Sequence, residues 1–199
     1  MTITMTMILR QKKIRLFFLC GIVVLLQGCS EAIVLGGMGG LIAYHDARST
    51  KHWYQDQAIE KDARKMIRDD SRLDGRADIS VVSYNRRVLL TGTVQSRSLA
   101  EYASKRVASV KDVRNVLNEL AVVSKHAGSA SSNDGMLATR IKAKLFFNDF
   151  DATRVKVVSA SGHVYLMGLV THAESDQVVA MLHDVDGVRD VNELFEYVD

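Results

Sequence analysis

Ile79-Ser80-Val81-Val82-Ser83, followed by Val88-Leu89-Leu90-Thr91-Gly92-Thr93-Val94, is the stretch whose reading decides the fold. It returns as Val155-Lys156-Val157-Val158-Ser159, followed by Val164-Tyr165-Leu166-Met167-Gly168-Leu169-Val170. Each copy holds two runs of alternating, largely β-branched residues around a polar turn. That turn is Asn85-Arg86-Arg87 in the first copy and Ser161-Gly162-His163 in the second. Period-two alternation across a polar turn reads as a β-hairpin. A hairpin that recurs with the same punctuation reads as an internal repeat.

Working outward, Val113-Arg114-Asn115-Val116 then Asn118-Glu119-Leu120 matches Val188-Arg189-Asp190-Val191 then Asn192-Glu193-Leu194. This supplies a third strand in each copy. The two parts of the match are offset by one residue, as a bulge or a slip would make them. Helices fill the gaps. Ile59, Ala63 and Ile67 recur at i+4, as do Leu137, Ile141 and Leu145, giving an opening helix to each copy. Leu99, Ala103 and Val107 mark a helix before the third strand, and Thr171 with Glu174 has the spacing of a capping box opening its counterpart. The expected fold class is α+β. It consists of two tandem units, each helix-strand-strand-helix-strand, with a three-stranded mixed sheet against two helices.

The leader is read separately. Arg10, Lys12, Lys13 and Arg15 precede the apolar run Leu16 to Leu26, and then comes Gln27-Gly28-Cys29. A basic region, a short apolar core and a small residue before the cut make a secretory signal, too short to span a bilayer. The ending Leu26-Gln27-Gly28-Cys29 resembles a bacterial lipobox. That resemblance implies cleavage before Cys29 and lipidation of its thiol, and Ser30 after it implies sorting to the outer membrane. The chain carries 26 basic and 23 acidic residues. Four of the basic ones lie before Cys29, leaving 22 against 23 and a near-neutral mature chain. Nucleic-acid binding, which needs a concentrated phosphate-neutralising surface, is not expected. The expected organisation is signal peptide 1–28, lipidated Cys29 and a flexible glycine-rich tether over 29–53, first unit 54–124, linker 125–133 and second unit 134–199.

The hairpins ending in Gly92 and Gly168, with Val-Arg-x-Val and Asn-Glu-Leu after them, resemble the BON domain, a small envelope-associated module. With the lipobox and tether, the whole chain resembles the dual-BON-domain outer-membrane lipoproteins. The resemblance implies an anchored body facing the periplasm, binding to anionic phospholipid, and a part in envelope integrity and at cell-division sites.

The residues themselves offer two surfaces. On the opening helix of the second unit, Met136, Arg140, Lys144 and Phe147 share a stripe beside the core-facing Leu137, Ile141 and Leu145. Apolar groups interleaved with cations suit an acyl–headgroup boundary. The same stripe also fits a peripheral core edged by solvated cations. On the second hairpin, Tyr165, Met167 and Leu169 face away from Val164, Leu166 and Val170, forming an apolar sheet face that needs a partner: the first unit or another protein. An alternative function follows from that face, a membrane-tethered adaptor for envelope-assembly or wall-remodelling proteins. The six histidines lack paired metal spacing, and His163 is read as exposed in its turn. No cofactor, metal, small-molecule substrate or catalytic constellation is expected.

Overall fold

The computed structural model describes residues 50–123, 132–148 and 150–199. Cys29, the leader, most of the tether and most of the linker lie outside the described residues. The first unit runs α1 (Thr50–Arg68), β1 (Ala77–Tyr84), β2 (Arg87–Val94), α2 (Arg97–Ala108) and β3 (Asn115–Val122). The second runs α3 (Ser132–Phe147), β4 (Val155–Ala160), β5 (His163–Val170), α4 (His172–Leu182), β6 (Asp190–Glu193) and β7 (Glu196–Tyr197), with a 3-10 turn at Ala152–Arg154 before β4. The α+β class and the helix-strand-strand-helix-strand order are as the repeat implies. Helix α1 begins at Thr50, so Trp53 lies in its first turn rather than in the tether. No glycine or proline interrupts the run up to Arg68.

Both hairpins close with two-residue turns. Asn85 and Arg86 (φ 50° and 63°) close the first, and Ser161 and Gly162 (φ 53° and 84°) the second. Two successive positive φ values match the right-handed twist of the flanking strands. Arg87 and His163, read as turn residues, are therefore the first residues of β2 and β5, opposite Tyr84 and Ala160. The third strand adds in parallel to the second hairpin strand in both units. This is the strand-helix-strand crossover.

Of the bulge and the slip that the offset allows, the ladder shows the slip. His163 pairs with Asp190, Leu166 with Glu193, Leu169 with Glu196 and Val170 with Tyr197, one for one across the break between β6 and β7. In the first unit Leu120 stands opposite Gly92. The same ladder position in the second unit is taken by Phe195, whose ring lies over Gly168. The two Asn-Glu-Leu triplets are thus alike in letters but one position out of structural step. Leu194 faces the other unit and Phe195 enters its own core.

Each unit packs its helices on one face of its sheet. Ile59, Ala63, Val81, Val88, Leu90 and Val107 form the first core. Leu137, Ile141, Leu145, Val157, Leu166, Val178 and Phe195 form the second. A third cluster joins the units: Tyr84 and Leu89 from one sheet meet Val158, Tyr165 and Met167 from the other. The body is therefore layered helix, sheet, sheet, helix. Two modest cores share a third, which suits units too small to bury much apolar surface alone.

Candidate functional site

Helix α3 carries all four residues of the proposed lipid-facing stripe. Its buried side is Leu137, Ile141 and Leu145. At about 100° per residue, Met136, Arg140, Lys144 and Phe147 fall on one flank of that stripe. Phe147 is 80% exposed and Met136 62%. Lys144 is half-buried. Arg140 is exposed but not loose, because its guanidinium donates to the Asp186 carbonyl at 2.6 Å.

One member of this surface escaped the sequence reading. Phe146 is 70% exposed and sits edge-on to Phe147, ring centroids 5.7 Å apart. The signal was available: of adjacent Leu145, Phe146 and Phe147, only one can lie on a stripe already fixed by Leu137 and Ile141. Lys142 stands on the Phe146 flank. Partial burial and then the charge of nearby Lys156 lower its ammonium pKa. The exposed side of α3 is thus an aromatic pair with cations to either side.

Tyr165, Met167 and Leu169 do not face solvent. Tyr165 and Met167 are buried in the cluster between the sheets, and Leu169 packs at its edge. Burial raises the Tyr165 phenol, with Glu119 and Asp190 adding to the effect. A polar seam runs beside this cluster. Arg87 donates to the Leu194 and Phe195 carbonyls at 2.9 and 3.3 Å. Glu196 accepts from Asn85 at 3.0 Å and pairs with Arg114. The basic first hairpin and the acidic last strand are thereby joined by specific contacts.

Two further groups of polar side chains pair internally. An open cleft in the first unit, about 710 Å³, is lined by Asp70, Arg72, Tyr102 and Arg106. Asp70 accepts from Tyr102 at 2.7 Å and from the Arg72 amide at 2.9 Å, with Arg106 3.4 Å away. Those bonds, Tyr102 first, lower the Asp70 pKa. His163 is partly exposed as expected, but it stands at the start of β5 rather than in the turn and is paired with Asp190 at 2.9 Å. Among the described residues, no three His, Cys, Asp or Glu side chains are grouped to hold a metal, and no helix is long and apolar enough to cross a membrane.

A doubled unit of this order, sheets back to back and helices outward, defines a tandem α+β module. The BON domain family model matches residues 55–124 and again 133–199, so the chain belongs to the BON family. It is 32% identical over 186 residues to the outer membrane lipoprotein DolP of Haemophilus influenzae, covering 93% of this chain and 96% of that protein. It is also 32% identical to the 21 kDa hemolysin of Actinobacillus pleuropneumoniae, covering 77% and 79%. With the osmotically-inducible protein Y of Escherichia coli it shares 35% identity, covering 70% and 71%.

Proposed function

We propose that this protein is an outer-membrane lipoprotein, anchored at Cys29 and facing the periplasm, whose body binds anionic phospholipid through α3. Through that contact it supports envelope integrity, including at division sites. The observation that carries the reading is the exposed Phe146–Phe147 pair on a helix that also presents Arg140, Lys142 and Lys144. Aromatic rings enter the acyl boundary while the cations meet phosphates, each cation contributing on the order of 1 kcal/mol at an anionic surface. The lipobox and the near full-length likeness to a protein named as an outer membrane lipoprotein support the location. The adaptor reading rested on Tyr165, Met167 and Leu169 as an open face. The first unit covers that face, so no observation favours the adaptor.

The test is an NMR titration of the mature chain with phosphatidylglycerol and, separately, phosphatidylcholine micelles. Shifts should gather on α3 with the anionic lipid alone. Phe147→Asp should weaken binding about tenfold, since losing one buried aromatic costs at least the ~1.4 kcal/mol that a decade requires. Shifts on α3 with neither lipid would remove the proposal.

A further inference from the structure

The exposed large apolar side chains are not spread evenly over the body. Tyr54, Phe146, Phe147, Tyr197 and Val198 lie at one end, and Met136 and Val122 at the other. The contacts fix which end is which. The Tyr84 hydroxyl donates to the Arg154 carbonyl at 3.3 Å, and Asn85 donates to Glu196. The first hairpin's turn therefore sits where, in the second unit, α3 has stopped, β4 starts and β7 ends. Helix α1 begins at this same turn, because Asp56 accepts from Ser83, Asn85 and Arg86 at 2.6, 2.8 and 2.7 Å. Trp53 and Tyr54, ring against ring at 5.0 Å, are just before it. The first turn of α3, with Met136, is held to the second hairpin's turn through Asp134 and so lies at the opposite end. Val122 is likewise remote, opposite Val94 at the far end of the first ladder.

Charge at the apolar end is arranged compatibly. Glu196 is tied to Arg114, Glu174 to Arg154, and Asp199 to the amide and ring of His172 at 3.1 and 2.8 Å. Lys51, Lys142 and Lys144 are cations on the helices that carry the aromatic groups, and Asp151 is an exposed acid at this end. The chain that carries Cys29 also joins the body here, at Thr50. An anchor that tethers this end holds it at high effective concentration over the bilayer.

We propose that the body docks end-on: the C-terminal tip of α3, the first turn of α1 and Val198 enter the lipid interface together, and Met136 stays outside it. This rests on the phospholipid reading above. It makes Tyr54 and Trp53 a second lipid contact, of the amphipathic aromatic kind that settles at headgroup depth.

Trp53 is the only tryptophan in the chain and reports on α1 directly. The full chain, acylated at Cys29, is placed on vesicles of phosphatidylglycerol with phosphatidylcholine, or of phosphatidylcholine alone, each with and without brominated acyl chains. Amide exchange over α3 is followed in parallel. The expected result is loss of Trp53 emission on brominated anionic vesicles together with slowed exchange at Phe146 and Phe147. Both effects should be absent on the zwitterionic vesicles. Phe147→Asp and Val198→Asp, whose tethers are intact, should restore emission, while Met136→Asp should behave as the parent. Protection of α3 with undiminished Trp53 emission overturns end-on docking and leaves the phospholipid reading standing. Equal quenching in the parent and Phe147→Asp also overturns it, since the tether alone then explains the proximity. Neither quenching nor protection on anionic vesicles overturns both readings.

Discussion

Both units fasten their opening helix to their hairpin turn with a buried aspartate, but not equally. Asp56 accepts three hydrogen bonds of 2.6 to 2.8 Å from Ser83, Asn85 and Arg86. One helical turn later Glu60 takes the Ser83 amide at 2.9 Å and Arg64 at 2.7 Å. The second unit repeats only the first half. Asp134 reaches Gly162 and Ser159 at 3.3 and 3.4 Å, and the position equivalent to Glu60 is Ala138. Lys142 stands where Arg64 had a carboxylate, and Phe146 and Phe147 stand where the first unit has Arg68 and Asp69. The first helix is spent on holding the fold. The second has released most of its polar groups from that task and turned the Phe146 and Phe147 rings outward, which leaves that helix the less committed to the fold.

The largest expected effect tests how rigidly each copy is built. In β2, Gly92 has φ +113°, and a Cβ there would lie 2.1 Å from the Asp78 carbonyl oxygen. In β5, a Cβ on Gly168 would lie 2.8 Å from the Arg154 carbonyl oxygen and 3.3 Å from the Phe195 ring, a lesser overlap without a positive φ. Gly92→Ala combines left-handed strain with a backbone clash and should cost about 4 kcal/mol. Gly168→Ala, with the overlap alone, should cost about 2 kcal/mol. Denaturant midpoints of the two variants measure the difference. Equal losses would mean that the ladder around Gly92 relaxes as easily as the one around Gly168.

Next come the latches. Asp56→Ala strands two backbone amides and a hydroxyl in a buried site and should cost about 3 kcal/mol. Asp134→Ala gives up two long bonds and should cost about 1 kcal/mol. Chemical denaturation followed by NMR of each hairpin separates local from global loss. If Asp134→Ala proves the more damaging, the second helix is not the less committed one.

The hairpins were legible because period-two alternation survives any tertiary context, and the capping box at Thr171 because its chemistry is local. The third strand was legible as an element but not in register. Asn192-Glu193-Leu194 looks like Asn118-Glu119-Leu120, yet Phe195 fills the space over Gly168 that Leu120 fills over Gly92. Packing volume chose the register there, and letter identity carries no volume. The aspartate latches were missed because a carboxylate near a helix start reads as solvated; the recurrence of Asp three residues before Ile59 and before Leu137 was the clue. Phe146 was not legible in the stripe of Met136, Arg140, Lys144 and Phe147, because that stripe lies on the other flank of the helix. The antiparallel placement of the units, which gathers Phe147 and Tyr54 at one end, depends on contacts such as Tyr84 with Arg154 that no local pattern encodes.

The smallest expected effect concerns how the units respond to acid. Helix α2 opens on Ser96, which accepts from the Leu99 amide, and carries no acid in its first turn. Helix α4 opens on the Thr171–Glu174 box. The Glu174 carboxyl is held below its ordinary 4.5, chiefly by the Thr171 amide, against the opposing cost of burial and with help from Arg154. A carboxyl whose pKa falls on folding adds stability that is fully present above its unfolded value. That contribution is lost as pH drops through the lowered folded value. Glu174→Gln should therefore lower the denaturant midpoint at neutral pH and flatten its decline below pH 4.5, with the first turn of α4 affected and that of α2 unchanged. Because the second unit supplies the proposed lipid surface while its own crossover helix depends on an ionised cap, mild acid should loosen the second unit through a cap that the first lacks. An unchanged acid limb in Glu174→Gln would place that sensitivity at other carboxylates, Asp70 of the first unit first among them.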